Sequence, residues 1–133
     1  MPVNGLDHVN IITADMDGTC NFYVQLLELE RRNGPAPLTP DMAQWLHDPS
    51  GKPILHINAL HCSRAFPREI VPGQTTGAIH HVALNCAGYD QTVAALDTMG
   101  AEYQTNLVAS IGLRQVFTTD PNNVLLELNF FGD

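Results

Sequence analysis

The sequence predicts an α+β fold of two tandem βαβββ modules, and three observations carry that expectation. Asp48 to Asn58 is echoed by Asp120 to Asn129: each stretch has an Asp-Pro turn, an apolar run and a closing asparagine. The histidines of LDHVNI and IHHVAL, His8 and His81, lie 73 positions apart, and the aspartates of the two turns lie 72 apart. Between those markers Met16, Cys20, Tyr23 and Leu26 are matched by Tyr89, Val93, Leu96 and Met99, all apolar and at helical spacing. A long period present only twice excludes a solenoid, which stacks three or more short repeats. It predicts a duplicated unit whose two small twisted sheets curl into one cleft-enclosing mixed sheet.

The elements follow in order. Leu6, His8, Asn10 and Ile12 alternate with Val9 and Ile11, which predicts a strand over Gly5 to Thr13. Asp15 or Asp17 can cap a helix running to Leu27. A short strand is expected over Glu28 to Arg32. Asn33 to Pro40 carries Pro35, Pro37 and Pro40, which remove donors and fix φ, so it is a loop. Met42 to His47 and Pro53 to Leu60 form a hairpin about the turn Asp48 to Gly51.

The first module thus spans residues 1–60. His61 to Gly77, broken by Pro67, Pro72 and Gly73, is a linker over 61–77. The second module, 78–133, repeats the order: a strand over Ala78 to Cys86, a helix over Asp90 to Met99 stopped by Gly100, and strands over Ala101 to Leu107, Leu113 to Thr119 and Val124 to Phe130.

At 133 residues the chain has the length of one domain and can bury roughly two thirds of its unfolded surface. Three cysteines, Cys20, Cys62 and Cys86, are an odd number without zinc-finger spacing and read as reduced thiols. The amino terminus has neither a basic head nor an apolar core, and no run of eighteen apolar residues occurs. A soluble cytoplasmic protein is expected. The net charge of −8 repels phosphate backbones, which argues against nucleic-acid and anionic-membrane partners.

His8 and His81 stand on the first strand of each module, His56 and Glu127 on the last. A pseudo-twofold relation between the modules brings these four strands face to face, so the four side chains become candidate ligands for one divalent metal. Imidazole and carboxylate suit zinc, iron, nickel, cobalt or manganese. His80 should face away from His81 and is the weaker candidate. His47 and His61 read as solvated. By strand parity or hairpin position Asn10, Asn58, Gln115, Phe117 and Asn129 are candidate substrate-binding residues of the cleft, and Trp45 matches Phe117 in the repeat.

GLDHVNI, the helix ending FYVQLLELE, IHHVAL, MGAEY and TTDPNNVLLEL together make the chain resemble the vicinal oxygen chelate superfamily, also called the glyoxalase, bleomycin resistance and dioxygenase superfamily. The resemblance covers nearly the whole chain and implies a glyoxalase-like fold. It implies His8, His81 and Glu127 as metal ligands. The family's remaining ligand position, commonly Glu or Gln, holds His56 here, a departure that leaves the chemistry open.

Three functions are implied. The first is a metal-dependent lyase or isomerase that chelates a small oxygen-bearing substrate, with His56 and Glu127 as catalytic residues. The second is an extradiol-type Fe(II) dioxygenase using His8, His81 and Glu127. The third is an antibiotic-binding protein without catalysis, against which the retained ligand set argues. Members of such a family usually form homodimers, and a homodimer is expected.

Overall fold

Which face of each sheet is covered follows from strand alternation and from where each helix packs. In the computed structural model, which describes residues 1–132, the order is β1 (Val9–Thr13), α1 (Met16–Leu27), β2 (Glu30–Asn33), β3 (Ala43–His47), β4 (Pro53–Ala59), β5 (Val82–Cys86), α2 (Tyr89–Met99), β6 (Gln104–Val108), a 3-10 turn (Ala109–Ile111), β7 (Leu113–Thr119) and β8 (Leu125–Phe131). The elements fall into two units, Met1–Ile70 and Val71–Asp133. Each unit has one four-stranded sheet, ordered β1-β4-β3-β2 and β5-β8-β7-β6. β1 runs parallel to β4 and β5 parallel to β8, while the other pairings are antiparallel. Each unit is therefore βαβββ and the fold is α+β.

In the first unit the residues of one parity, Ile11 and Thr13 on β1, Leu46 on β3, Leu55 and Ile57 on β4, are buried. Against them α1 sets Cys20, Tyr23 and Leu26, spaced three residues apart and all buried. Asp15 caps this helix by accepting a hydrogen bond from the Gly18 amide at 3.0 Å. In the second unit Val116, Leu126, Leu128 and Phe130 form the buried face, α2 contributes Leu96, and Tyr89 meets Phe130 edge to face. The opposite faces carry Asn10, Trp45, His56 and Asn58 in the first unit and Gln115, Phe117, Glu127 and Asn129 in the second.

Several boundaries differ from expectation; β6, for one, begins at Gln104 rather than at Ala101. β1 and β5 begin at Val9 and Val82, where parallel pairing with β4 and β8 starts, so His8 and His81 each lie one residue before their strand. β2 starts at Glu30 because Glu28 takes the left-handed conformation that ends α1, with φ of 55°. Gly100 ends α2 in the same way, with φ of 66°.

The two turns share one hydrogen-bond pattern. The Asp48 carboxylate accepts from the Ser50 and Lys52 amides, and that of Asp120 from the Asn122 and Val124 amides. The third residue after each aspartate, Gly51 or Asn123, has positive φ.

Beyond the turn the units differ by one residue. In β3–β4 the register shifts between Leu46 and His47, leaving Ile54 as a bulge, whereas β7–β8 pairs without interruption. Trp45 is consequently the partner of His56, and Phe117 the partner of Glu127. The bulge is why His56 and Glu127 are equivalent although 71 positions apart, while the turns lie 72 apart.

Candidate metal and substrate site

His8 and His81 present the same ring edge. Nδ1 of His8 lies 2.6 Å from the Asp7 carboxylate, an acceptor-only group, so His8 donates from Nδ1 and turns Nε2 outward as a lone pair. That hydrogen bond, with a smaller contribution from charge, holds the Asp7 carboxyl below the usual carboxylate range. Nδ1 of His81 lies 3.0 Å from Nδ1 of His80, so this ring too has Nδ1 engaged and Nε2 directed elsewhere. Asp7 and His80 occupy matching places in the repeat, each just before its histidine. Their role was invisible in the sequence, which does not say which ring nitrogen is in use.

In the second unit His81 Nε2 faces Glu127 Oε1 at 3.7 Å, beyond hydrogen-bond reach. The other oxygen, Oε2, accepts a hydrogen bond from Asn129 Nδ2 at 3.0 Å. Gln115 donates to Asn129 at 3.1 Å, and Asn106 to Gln115 at 2.8 Å. Glu127 is largely shielded, with its side chain 16% exposed. Phe117 lies beside it in register and lines an open hollow of about 890 Å³ with His80, Glu102, Tyr103, Gln104 and Leu125.

In the first unit His56 lies in a stack. Its ring sits 3.7 Å from that of His8 with 11° between planes, and 4.0 Å from that of Trp45 with 7° between planes. Its Nε2 is buried without a hydrogen-bond partner, while a hydrogen bond to the Pro53 backbone engages the ring elsewhere. Burial first, and His8 second, push the His56 pKa below its ordinary 6.5. Asn10 donates to Asn58 at 2.6 Å, and Asn58 turns its own amide to Cys62 Sγ at 3.4 Å. Asn58 is thus not available to His56 as Asn129 is to Glu127.

His47, expected in solvent, is buried with 8% exposure because it sits on the inner strand β3 between Glu30 and Pro53. His61 is exposed as expected, 3.4 Å from Asp41. The candidate ligands thus form two pairs, His8 with His56 and His81 with Glu127. Among the described residues no group of three or more His, Cys, Asp or Glu side chains is gathered at one point.

The model of the Glyoxalase/Bleomycin resistance protein/Dioxygenase superfamily matches residues 5–128. The chain belongs to that superfamily. A protein described as Glyoxylase I 4 from Arabidopsis thaliana is 25% identical over 130 residues, covering 95% of this chain and 70% of that protein. The fold is shared with a putative glyoxalase family protein from Bacillus anthracis, with a TM-score of 0.71, 17% identity and coverage of 98% of each chain. It is shared too with a mutant of the fosfomycin resistance protein FosX from Listeria monocytogenes, complexed with Mn(II) and 1S,2S-dihydroxypropylphosphonic acid. There the TM-score is 0.69 and the identity 15%, over 96% of this chain and 90% of that one.

In each unit taken by itself the donors are of types that suit a divalent ion, His8 in the first and His81 with Glu127 in the second. His8 donates from Nδ1 to a carboxylate and leaves Nε2 open, the usual arrangement of a metal-ligating histidine; His81 has Nδ1 against His80 and Nε2 toward Glu127, a largely shielded carboxylate with one oxygen occupied and one open. Among the described residues no helix is long and apolar enough to cross a membrane.

Proposed function

We propose that the chain is a divalent-metal-dependent enzyme of lyase or isomerase type that acts on a small substrate with neighbouring oxygens. The carrying observation is the outward Nε2 of His8 and His81 together with the open Oε1 of Glu127. These three would hold the ion, which supplies Lewis-acid stabilisation of negative charge developing on substrate oxygen. A relative named for glyoxylase I supports the lyase or isomerase class, and a neighbour in fold bound to Mn(II) and a dihydroxypropylphosphonic acid accords with a divalent ion and a small oxygen-bearing ligand.

The stack supports three ligands rather than four. A histidine binds an ion in the plane of its ring, and the nearly parallel planes of His8 and His56 do not meet within bonding distance. His56 stays off the ion and acts as a base. With its Nδ1 proton on the Pro53 carbonyl, the unpartnered Nε2 carries a lone pair, and the lowered pKa keeps the ring neutral at pH 7. Asn10, Asn58, Gln115, Phe117 and Asn129 stand on the same sheet faces as the ligands. Asn10 and Phe117 bind substrate in this reading, through an amide and an aromatic wall.

The same stack favours a second reading, an extradiol-type Fe(II) dioxygenase, because a three-residue set leaves room for both a bidentate substrate and oxygen. One experiment separates the two. Metal-free protein is loaded with Zn(II), Ni(II), Co(II) or Mn(II) and offered an α-hydroxy-thiohemiacetal and an epimerisable acyl thioester. In parallel it is loaded anaerobically with Fe(II), given catechols and air, and followed by oxygen uptake. Turnover in the first arm without oxygen uptake in the second is expected; stoichiometric oxygen consumption with ring cleavage reverses the assignment. A homodimer is part of this reading, and a monomer mass in light scattering at micromolar concentration removes it.

A further inference from the structure

Asn106, Gln115 and Asn129 are cross-strand partners on β6, β7 and β8, and their side chains form one directed chain of hydrogen bonds that ends on Glu127. The direction is set at the carboxylate end. An ionised carboxylate only accepts, so Asn129 must present its NH₂ to Oε2. Its carbonyl oxygen then faces Gln115, which must donate, and the Gln115 oxygen in turn takes the proton of Asn106. Reversing the amide of Gln115 or of Asn129 breaks two bonds, and reversing that of Asn106 breaks one. The equivalent residue of the first unit, Asn58, makes no such contact with His56, because its amide is committed to Cys62 and its oxygen to Asn10. The chain of amides is therefore specific to the unit that carries the carboxylate.

We propose that Asn129, backed by Gln115, is a positioning residue that engages Oε2 of Glu127, so that Oε1 alone faces His81 and the carboxylate binds its ion through one oxygen. The inference rests on Glu127 being a ligand, and it moves Asn129 and Gln115 from substrate contact to support of the carboxylate. A carboxylate freed at Oε2 can rotate and offer both oxygens, which raises the coordination number and removes a position the substrate needs.

The test uses the full chain without a polyhistidine tag, stripped by chelator and titrated with Co(II) against a chromophoric competitor, with the d–d absorption recorded. Wild type is compared with Asn129→Leu, Gln115→Leu and Glu127→Ala, each checked for folding by circular dichroism. Asn129→Leu should weaken Co(II) binding by about 10- to 100-fold, the usual range for loss of a group that supports a ligand. It should also lower the d–d absorptivity, because these bands weaken as coordination number rises. Gln115→Leu should move both readouts the same way by a smaller factor.

A folded Asn129→Leu protein with wild-type affinity and spectrum, beside a Glu127→Ala protein that binds Co(II) poorly, overturns the positioning role and leaves the ligand assignment standing. Wild-type affinity in Glu127→Ala overturns the ligand assignment and the inference with it. If Asn129→Leu does not fold, Gln115→Leu decides: an unchanged affinity and spectrum there reject the proposal, and a shift in both supports it.

Discussion

Trp45 lies flat on His56, 4.0 Å between ring centroids and 7° between planes, held there by a register that pairs the two residues across β3 and β4. Trp45 is the single tryptophan of the chain, so its emission reports on this one site, where His56 is the stacked ring. A protonated imidazole against the indole quenches it. Burial and the neighbouring His8 lower the His56 pKa from 6.5, so in metal-free protein the quenching midpoint should lie below 6.5 and vanish in His56→Gln. The folded ring holds its proton less well than the unfolded one. The stability contribution is therefore present above pH 6.5 and lost as pH falls from there through the folded pKa. A fluorescence midpoint at or above 6.5 contradicts this.

Asp48 and Asp120 make the same pair of amide contacts but at different depth, since Asp48 is half-buried and Asp120 is only 5% exposed. Water can replace the Asp48 carboxylate and reaches the amides behind Asp120 poorly. Asp120→Ala should cost about 2–4 kcal/mol, the range for two hydrogen bonds to a charged group with a buried donor left unmatched. Asp48→Ala should cost visibly less. Urea unfolding of the two variants checks the order, and equal midpoints would count against the role of depth.

Burial pushes the Cys86 thiol from 9.0 up to about 11, against a smaller opposing effect from the Asn129 backbone. At pH 8 only about one thiol in a thousand is then a thiolate, the reactive form. Iodoacetamide should modify Cys86 of the folded protein at pH 8 far more slowly than an unperturbed thiol, with a rate that keeps rising with pH toward 11, as peptide mass spectrometry would show. Because the folded pKa is raised, the stability this thiol contributes is complete below pH 9.0 and declines as pH rises from 9.0 toward about 11. Rapid labelling at pH 8 under native conditions would refute the raised pKa.

The repeat made the fold legible, because each module had to satisfy the same pattern of apolar residues, caps and turns as the other. Strand starts were less legible: Leu6 and Ile79 continue the alternation toward Gly5 and Gly77, yet parallel partners are present only from Val9 and Val82. The one-residue drift between the repeated aspartates and the His56–Glu127 pair was a trace of the bulge at Ile54, visible in the sequence but uninterpretable without the register. The stack of His8, His56 and Trp45 joins three separate strands or strand approaches, and no spacing along the chain encodes it. The burial of His47 was missed for the same reason, since it depends on β3 being an inner strand.

His56 and Glu127 occupy the same place in their units, yet the surroundings give them different work, and paired substitutions should separate the roles. Glu127 presents an oxygen that nothing else occupies, beside His81, so Glu127→Ala should lose divalent metal to chelator dialysis much faster than wild type. His56 presents a lone pair from within a stack parallel to His8, so His56→Gln should keep its metal. Turnover in His56→Gln should nevertheless fall by about 10²–10⁴, the usual contribution of a positioned base. In wild type, metal occupancy should drop on acidification, because ligating histidines must be neutral. Metal analysis and steady-state rates on the three proteins decide the matter: metal lost from His56→Gln to the same degree as from Glu127→Ala makes His56 a fourth ligand, and full activity in metal-loaded His56→Gln removes it from the chemistry altogether.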